Sequence, residues 1–381
     1  MHPTSPDTST LIGRNEIDDI DEILAIAAPG VSDLLHAVDQ GGRTTFTWNY
    51  RKDRPPLEKL YSKAKQGQWN VETDLDWDTS FDREQIAFDL LDTMPQVQAL
   101  RDAARGDRSC PLHGWDDSRF ADLAWEYQTY GMSQFLHGEQ GALVCTAKIT
   151  EQVPWIEAKY YAATQVMDEA RHVEAFDRYL AEKIQDSYAC NGHLLLLLDD
   201  IINDERWDMT YMGMQIMVEG LALASFGYLC KATREPLLKK MLRYVMSDEA
   251  RHVAFGVLSL KEVYDGMGAT EIRERQEFAF EAGLRLRDRL FYQEMWARLD
   301  VNPKAMLTWM RANPVETNLW QAALFSKIVP NLKKLGLLDT GDGWLRDRYT
   351  EMGVIAFEHF EDTSTEFAQF DITAERYPEH A

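Results

Sequence analysis

The sequence lacks several features that point to common classes of protein. It has four cysteines, Cys110, Cys145, Cys190 and Cys230, and no two of them have CxxC spacing. A chain of 381 residues can bury a large core and needs no disulfides to fold. The cysteines are therefore expected to be reduced, and neither an iron–sulfur cluster nor a disulfide framework is predicted.

Basic residues and long apolar runs are also scarce. Lysine and arginine total 40 against 63 aspartates and glutamates, a net charge of −23 that disfavours binding to nucleic acid or to a membrane surface. The longest aliphatic run, Leu194 to Leu198, falls far short of the roughly 20 residues of a membrane span. The N-terminus has no basic stretch before an apolar core, so no signal peptide is predicted. The expected location is cytoplasmic.

From about residue 116 onward the chain contains long amphipathic segments with few helix breakers. Each segment is far longer than the average globular helix, which is typical of a helical bundle. Short connections predict antiparallel neighbours within each pair, and a longer link joins the pairs. The four helices are predicted at about 117–150, 155–186, 203–233 and 235–265, with the link at about 187–202.

The chain is therefore predicted to be all-α and to have three parts. A four-helix bundle spans 116–266, an N-terminal extension at 1–115 packs on it, and a C-terminal helical extension follows at 267–381. The stretch QWNVETDLDWD in the N-terminal extension suggests no chemistry. Glu151 and Glu157, near the turn between the first two helices, are predicted to be surface residues.

One short sequence, DEARHV, occurs twice in the chain, 80 residues apart. Six identical residues rarely recur by chance. Three positions separate Glu169 from His172 in the first copy, and Glu249 from His252 in the second. On a helix each pair projects from one face, about one turn apart, and offers two metal ligands.

A matching glutamate precedes each copy by thirty residues. These are Glu139, in FLHGEQGALV, and Glu219, in IMVEGLALAS, and both stand in otherwise apolar helical stretches. Two helical hairpins are thus related by the same shift of 80 residues, each with Glu on its first helix and Glu-x-x-His on its second.

Antiparallel stacking of the two hairpins brings four carboxylates and two imidazoles to the middle of the bundle. Burying four carboxylates together without a cation is very costly, because desolvation and mutual repulsion add. Two divalent ions bring the set to formal neutrality. The pattern therefore predicts two metal ions, for which carboxylate and imidazole donors suit iron.

Glu-x-x-His on two helices with a glutamate on each of the other two resembles the ferritin-like carboxylate-bridged di-iron oxygenase superfamily, over about residues 115–265. The resemblance implies a ferritin-like four-helix bundle with a terminal glutamate and histidine at each ion and two bridging glutamates. By that likeness Glu139 and His172 hold one ion, Glu219 and His252 hold the other, and Glu169 and Glu249 bridge them.

The residues beside these glutamates and histidines are similar to those of the bacterial multicomponent monooxygenase hydroxylases. An aspartate precedes each glutamate of the repeat and an arginine precedes each histidine. The likeness implies that Asp168 and Asp248 orient the histidines, while Arg171 and Arg251 hold the aspartates. Such a second layer fixes the tautomer of a metal-bound imidazole.

The activity that the resemblance implies is that of a dioxygen-dependent di-iron monooxygenase or oxidase. Its substrate would be a small aromatic or hydrophobic molecule that is hydroxylated, N-oxygenated or desaturated. The expected cofactor is two Fe ions, with Mn possible in one or both positions. Because the sequence has no GxGxxG fingerprint in a strand context, electrons are expected from a ferredoxin or a flavin reductase. A homodimer is the expected assembly.

Departures from the individual families leave other activities open. The small subunit of ribonucleotide reductase normally has an aspartate and a radical tyrosine where this chain has Glu139 and Phe176. The additional histidine of p-aminobenzoate N-oxygenase is replaced by Val245, and the threonine of soluble methane and toluene monooxygenases by Leu223. The alternatives are a di-manganese or Mn/Fe oxidase like that subunit, and a non-catalytic helical protein stabilised by metal.

Overall fold

The computed structural model describes residues 12–14, 16–29, 35–313 and 323–373. These residues form helices and loops and include no β-strand, so the all-α prediction is confirmed. The α-helices of the described residues are α1 (Ile20–Ala25), α2 (Pro55–Gln66), α3 (Val71–Asp74), α4 (Arg83–Thr93), α5 (Pro95–Gly106), α6 (Asp117–Gln152), α7 (Ile156–Tyr179), α8 (Gly192–Asn203), α9 (Trp207–Ala232), α10 (Pro236–Asp265), α11 (Ala269–Asp288), α12 (Gln293–Arg298), α13 (Pro303–Ala312), α14 (Val329–Lys334), α15 (Trp344–Glu351) and α16 (Thr363–Glu366). Short 3₁₀ helices occur at Arg289–Phe291, Leu324–Lys327, Ile355–His359 and Phe367–Phe370.

Four long helices, α6, α7, α9 and α10, form the predicted bundle. Helix α6 packs on α7 and α9 packs on α10, while contacts between α7 and α10 and between α6 and α9 close the bundle. The Asp116 side chain caps α6 by accepting the Arg119 backbone N–H, and Glu235 caps α10 just before Pro236. These signals explain why the helices begin close to the positions predicted from the sequence.

Two segments of the bundle have π-helical geometry. Leu180–Ile184 extends α7, and Met212–Val218 forms the middle of α9. A π turn widens the helix and rotates the side chains that follow it. The segment in α9 ends immediately before Glu219, so it sets the direction in which that glutamate projects.

The predicted link between the two hairpins contains a helix. Helix α8 lies within it and is capped by the Asn191 side chain, which accepts the backbone N–H groups of His193 and Leu194. Its apolar face, including Leu194, Leu197 and Ile201, is buried against the bundle and α11. The apolar run that is too short for a membrane span is therefore part of a core helix.

The N-terminal segment is attached to the bundle through a buried carboxylate. Helix α2 packs against α7 and α10, and Glu157 at the start of α7 accepts the backbone N–H groups of Asp53 and Arg54 at 2.7 and 3.0 Å. The prediction that Glu157 is a surface residue is wrong. Its side chain is buried and accepts hydrogen bonds from the backbone just before α2. Glu151 is exposed, as predicted.

Among the described residues, α9 alone is long and apolar enough to cross a membrane by length and composition. Because 72% of its most apolar window is buried inside the protein, this is weak evidence for a membrane span. A central helix of a bundle has the same property. All four cysteines are free thiols.

Candidate metal centre

The structure brings the six predicted ligand residues together at the centre of the bundle, and all six are buried. Helices α6 and α9 contribute one glutamate each, and α7 and α10 contribute a Glu-x-x-His pair each. The donor atoms form two overlapping groups in which all atoms lie within 4.8 Å of one another. One group is Glu139, Glu169, His172 and Glu249, and the other is Glu169, Glu219 and His252.

Glu169 and Glu249 lie between the two imidazoles. Glu169 places one oxygen 3.0 Å from Nδ1 of His252 and the other 3.4 Å from Nδ1 of His172. Oε1 of Glu249 lies 3.1 Å from Nδ1 of His172 and 3.6 Å from Nδ1 of His252. Both carboxylates therefore lie within reach of both imidazoles, and their bridging role stays a prediction.

The outer nitrogen of each histidine faces an aspartate from the other hairpin. Nε2 of His172 lies 3.1 Å from Asp248, and Nε2 of His252 lies 3.3 Å from Asp168. The two contacts are reciprocal, which is the arrangement of two antiparallel helices related by a two-fold axis. Since a carboxylate can only accept, each Nε2 donates its hydrogen to its aspartate, and each Nδ1 faces the glutamates of the centre. Burial acts to lower the pKa of both histidines, but the surrounding carboxylates raise it well above the ordinary value, so that protons on the imidazoles offset part of the buried negative charge, as metal ions would.

The two arginines of the repeat hold these aspartates in an unequal way. Arg171 donates to Asp168 at 2.7 Å and to Asp248 at 2.9 Å, and so joins the two hairpins. Arg251 donates to Asp248 and, at 3.2 Å, to Ser247. The structure thus places all four residues of the predicted second layer around the centre.

Three polar residues near the centre were missed by sequence analysis. Gln68 donates to Asp168 and Trp69 donates to Asp248, each at 2.7 Å, although their stretch of sequence suggested no chemistry. Gln165 donates to Glu169 and Glu219 at 3.0 Å each. Gln165 could have been found, because it lies one turn before Glu169 on the same helix face.

The electrostatics of the cluster reflect four carboxylates in a dry core. Burial, with Glu249 next in importance, raises the pKa of both Glu139 and Glu219 well above the ordinary value. Burial also acts to raise the pKa of Glu169, but His252 and His172 reverse the effect and lower it. Without a cation, protons must balance the charge of this cluster.

Several buried polar atoms at the centre have no hydrogen-bond partner among the described residues. They are Oε2 of Glu169, Oε2 of Glu219, both carboxylate oxygens of Glu249 and Nδ1 of His252. These carboxylate oxygens and the imidazole nitrogens are all possible metal donors, and their buried negative charge requires either protons or cations at the centre. The residues present therefore fit two metal ions.

Two adjoining cavities lie on the side of α6 and α9. The inner cavity has an empty volume of about 340 Å³, including open solvent at its mouth, and Glu139, Glu219 and Glu249 are among its lining residues. The outer cavity has an empty volume of about 570 Å³, including its open mouth, and is lined mainly by apolar and aromatic side chains. Gln134, Phe135 and Arg289 line both, so the two cavities adjoin at these residues.

Comparison with solved structures finds distant likenesses to R2-like ligand-binding oxidases. One, with an aerobically reconstituted metal cofactor after photoconversion, is 18% identical with a TM-score of 0.43, covering 75% of this chain and 94% of that chain. A tyrosine variant with an anaerobically reconstituted Mn/Fe cofactor is 17% identical with a TM-score of 0.40, covering 83% and 94%. No family profile and no curated protein matches the sequence. The buried Glu/His cluster is consistent with a di-metal site, and the fold is established by the chain's own helix contacts.

Proposed function

We propose that this protein is a dioxygen-dependent di-metal oxidoreductase that oxidises a small organic molecule. Two metal ions, Fe in both positions or Mn in one or both, would be held by the six buried glutamates and histidines. Bound there, redox-active ions supply the activation of dioxygen. The observation that carries the proposal is the convergence on one centre of buried carboxylate oxygens and an imidazole nitrogen that have no hydrogen-bond partner among the described residues.

Charge balance supports two ions rather than one. The four glutamates carry four negative charges, which two divalent ions neutralise, while Asp168 and Asp248 are balanced by Arg171 and Arg251. Glu169 also has one oxygen facing each histidine, which is the orientation needed to hold two ions at once. A single ion would leave part of the buried charge uncompensated.

The surroundings support a reaction on a small molecule next to the centre. Glu139, Glu219 and Glu249 line the inner cavity, whereas the opposite side of the cluster is closed by hydrogen bonds through the aspartates and Trp69. The closed side fixes the histidines, and the cavity side is where dioxygen and substrate would approach the centre. Hydroxylation, N-oxygenation and desaturation are all compatible with this arrangement.

The proposal includes partners. An external electron donor, a ferredoxin or a flavin reductase, would reduce the centre, and the protein would act as a homodimer. Carboxylate and imidazole donors suit Fe and Mn alike, so metal analysis decides between the di-iron and the Mn/Fe or di-manganese forms.

Anaerobic loading with ferrous iron tests the proposal, with metals counted per chain and absorbance followed after mixing with dioxygen. We expect two irons per chain and an oxygen-dependent absorbance change. Glu169→Ala and Glu249→Ala should lose metal and the absorbance change together. Glu174→Ala is the matched control, because Glu174 lies on the exposed face of the same helix as Glu169.

One iron or none per chain in the wild-type protein, or binding unaffected by the two substitutions, contradicts the metal centre. Two bound ions that never respond to dioxygen or to a reductant would favour a helical protein that uses metal only for stability. A chain that takes up Mn and Fe together in equal amounts, and more tightly than Fe alone, would identify the mixed centre.

A further inference from the structure

Arg289 lies in the wall shared by the two cavities. It follows α11, in the 3₁₀ turn Arg289–Phe291, and is followed by Tyr292, which has a left-handed backbone with φ of 54°. Its side chain is 8% exposed and lines both the outer cavity and the inner cavity next to the carboxylates. Arg289 is therefore a cation held where the outer cavity adjoins the cavity next to the carboxylates.

The guanidinium of Arg289 donates no hydrogen bond and forms no ion pair within the described part of the chain. The two carboxylates nearest in sequence are engaged elsewhere. Asp288 pairs with Arg14 at 2.6 Å, and Glu294 accepts from Asn191 at 3.0 Å and from Tyr130 at 3.3 Å. Burial lowers the pKa of Arg289, opposed by the nearby Tyr130 and Tyr292. A buried arginine without a partner is rare, because its desolvation is left uncompensated.

Among the described residues that line the outer cavity, Arg289 is the only charged one. Aromatic side chains dominate it, among them Tyr127, Phe135, Tyr228 and Tyr292. A mostly apolar pocket with one oriented charged group is typical of sites for small amphipathic ligands. The planar guanidinium fork matches a carboxylate, with which it forms two parallel hydrogen bonds.

We propose that Arg289 binds the carboxylate of a small organic acid whose apolar body lies against the aromatic wall of the cavity. Binding of the acid requires only the cavity and Arg289. That this acid is the molecule oxidised at the centre rests on the proposed function, since the inner cavity brings the ligand next to Glu139 and Glu219.

Isothermal titration calorimetry of the full chain with 4-phenylbutyrate and its neutral analogue 4-phenylbutyramide tests this assignment. Each titration is done on metal-free and on iron-loaded protein. We expect the acid to bind at least about tenfold more tightly than the amide, as charge-assisted hydrogen bonds allow. Arg289→Met should remove this preference while leaving affinity for the amide unchanged, and Arg289→Lys should keep part of it.

Two control variants separate binding from folding. Arg273→Met, on the surface of α11 where Arg273 pairs with Asp342 at 2.8 Å, should leave the preference intact. Arg275→Met removes one partner of the buried ion pair with Asp208 and should lower the unfolding midpoint. Arg289→Met should not lower it, because the arginine has no partner to lose among the described residues.

Equal affinity of the wild-type protein for acid and amide would overturn the assignment. So would an unchanged preference in Arg289→Met, or a preference present only with iron bound, which would assign the carboxylate to the metal. An acid preference that depends on Arg289 in a protein that binds fewer than two metals would uphold this inference while contradicting the proposed function.

Discussion

The two helical hairpins of the bundle carry the same donor residues in different surroundings. Each supplies one Glu from its first helix and a Glu-x-x-His pair from its second, and each contributes the aspartate that holds the other's histidine. The first hairpin is formed by α6 and α7, and the second by α9 and α10. The centre is therefore close to two-fold symmetric in its ligands.

The neighbours of these ligands do not repeat. Gly138 in the first hairpin corresponds to Val218 in the second, and Gln165 corresponds to Val245. A π-helical segment precedes Glu219, whereas α6 is α-helical throughout around Glu139. The comparison indicates that the two hairpins must repeat the charged residues that would bind two ions. The residues around those ligands differ between the hairpins, and this difference forms the cavity and gives each ion different neighbours.

The largest expected difference between the hairpins concerns their aspartates. Asp248 accepts from Trp69, Arg171, Arg251 and His172. Asp248→Ala therefore leaves the buried Arg251 with Ser247 as its one hydrogen-bond partner among the described residues. Breaking a buried ion pair in this way costs about 3–5 kcal/mol. Urea unfolding of the metal-free protein should show this loss.

The matching substitution Asp168→Ala should cost less, because Arg171 keeps its contact with Asp248 at 2.9 Å. Asp177→Ala, on the exposed face of α7, serves as the control and should leave the free energy of unfolding unchanged. Equal losses for the two buried aspartates would mean that the hairpins share their stabilisation evenly.

Replacing two glycines of α6 by alanine should change the stability of the protein in opposite directions. A Cβ at Gly141 would lie 2.5 Å from Leu198 Cδ2, so Gly141→Ala should destabilise the protein by about 1–3 kcal/mol through overpacking. A Cβ at Gly138 would meet nothing within 4 Å, so Gly138→Ala should stabilise the helix by up to about 1 kcal/mol. Thermal unfolding of both variants measures the difference. Destabilisation by Gly138→Ala would indicate that the inner cavity is filled in solution.

The sequence predicts the fold and the meeting of the six donor residues for one reason. The repeat of Glu-x-x-His at helical spacing determines both the helix faces and the need for a buried cation. Helix caps such as Asp116 and the Pro236 turn predict where α6 and α10 begin. All of this information is local in the sequence.

The remaining features depend on tertiary contacts that no local pattern encodes. Whether Asp168 serves His172 or His252 depends on how the hairpins cross, and the structure shows that the pairing is between hairpins. Gln68 reaches the centre from about a hundred residues away, and Arg289 reaches the cavity from the other extension. Neither residue belongs to the repeat, so its spacing carries no signal.

The smallest expected effect, on metal affinity, compares the two hairpins most directly, because it concerns one ion only. Gln165 donates to Oε1 of Glu169 and Oε1 of Glu219, and that oxygen of Glu169 faces His252 at 3.0 Å. Gln165→Leu makes the position apolar like Val245. It should lower the affinity for the ion on the His252 side by about tenfold and leave the affinity for the ion on the His172 side nearly unchanged.

Competition with a chelator of known affinity measures the two binding constants in the wild-type protein and in the variant. Met167→Leu, on the exposed face of α7, is the control, since Met167 is 60% exposed. An equal loss of affinity for both ions would show that Glu169 transmits the change across the centre. The two ions would then respond as one unit despite their unequal surroundings, because Glu169 has an oxygen facing each histidine.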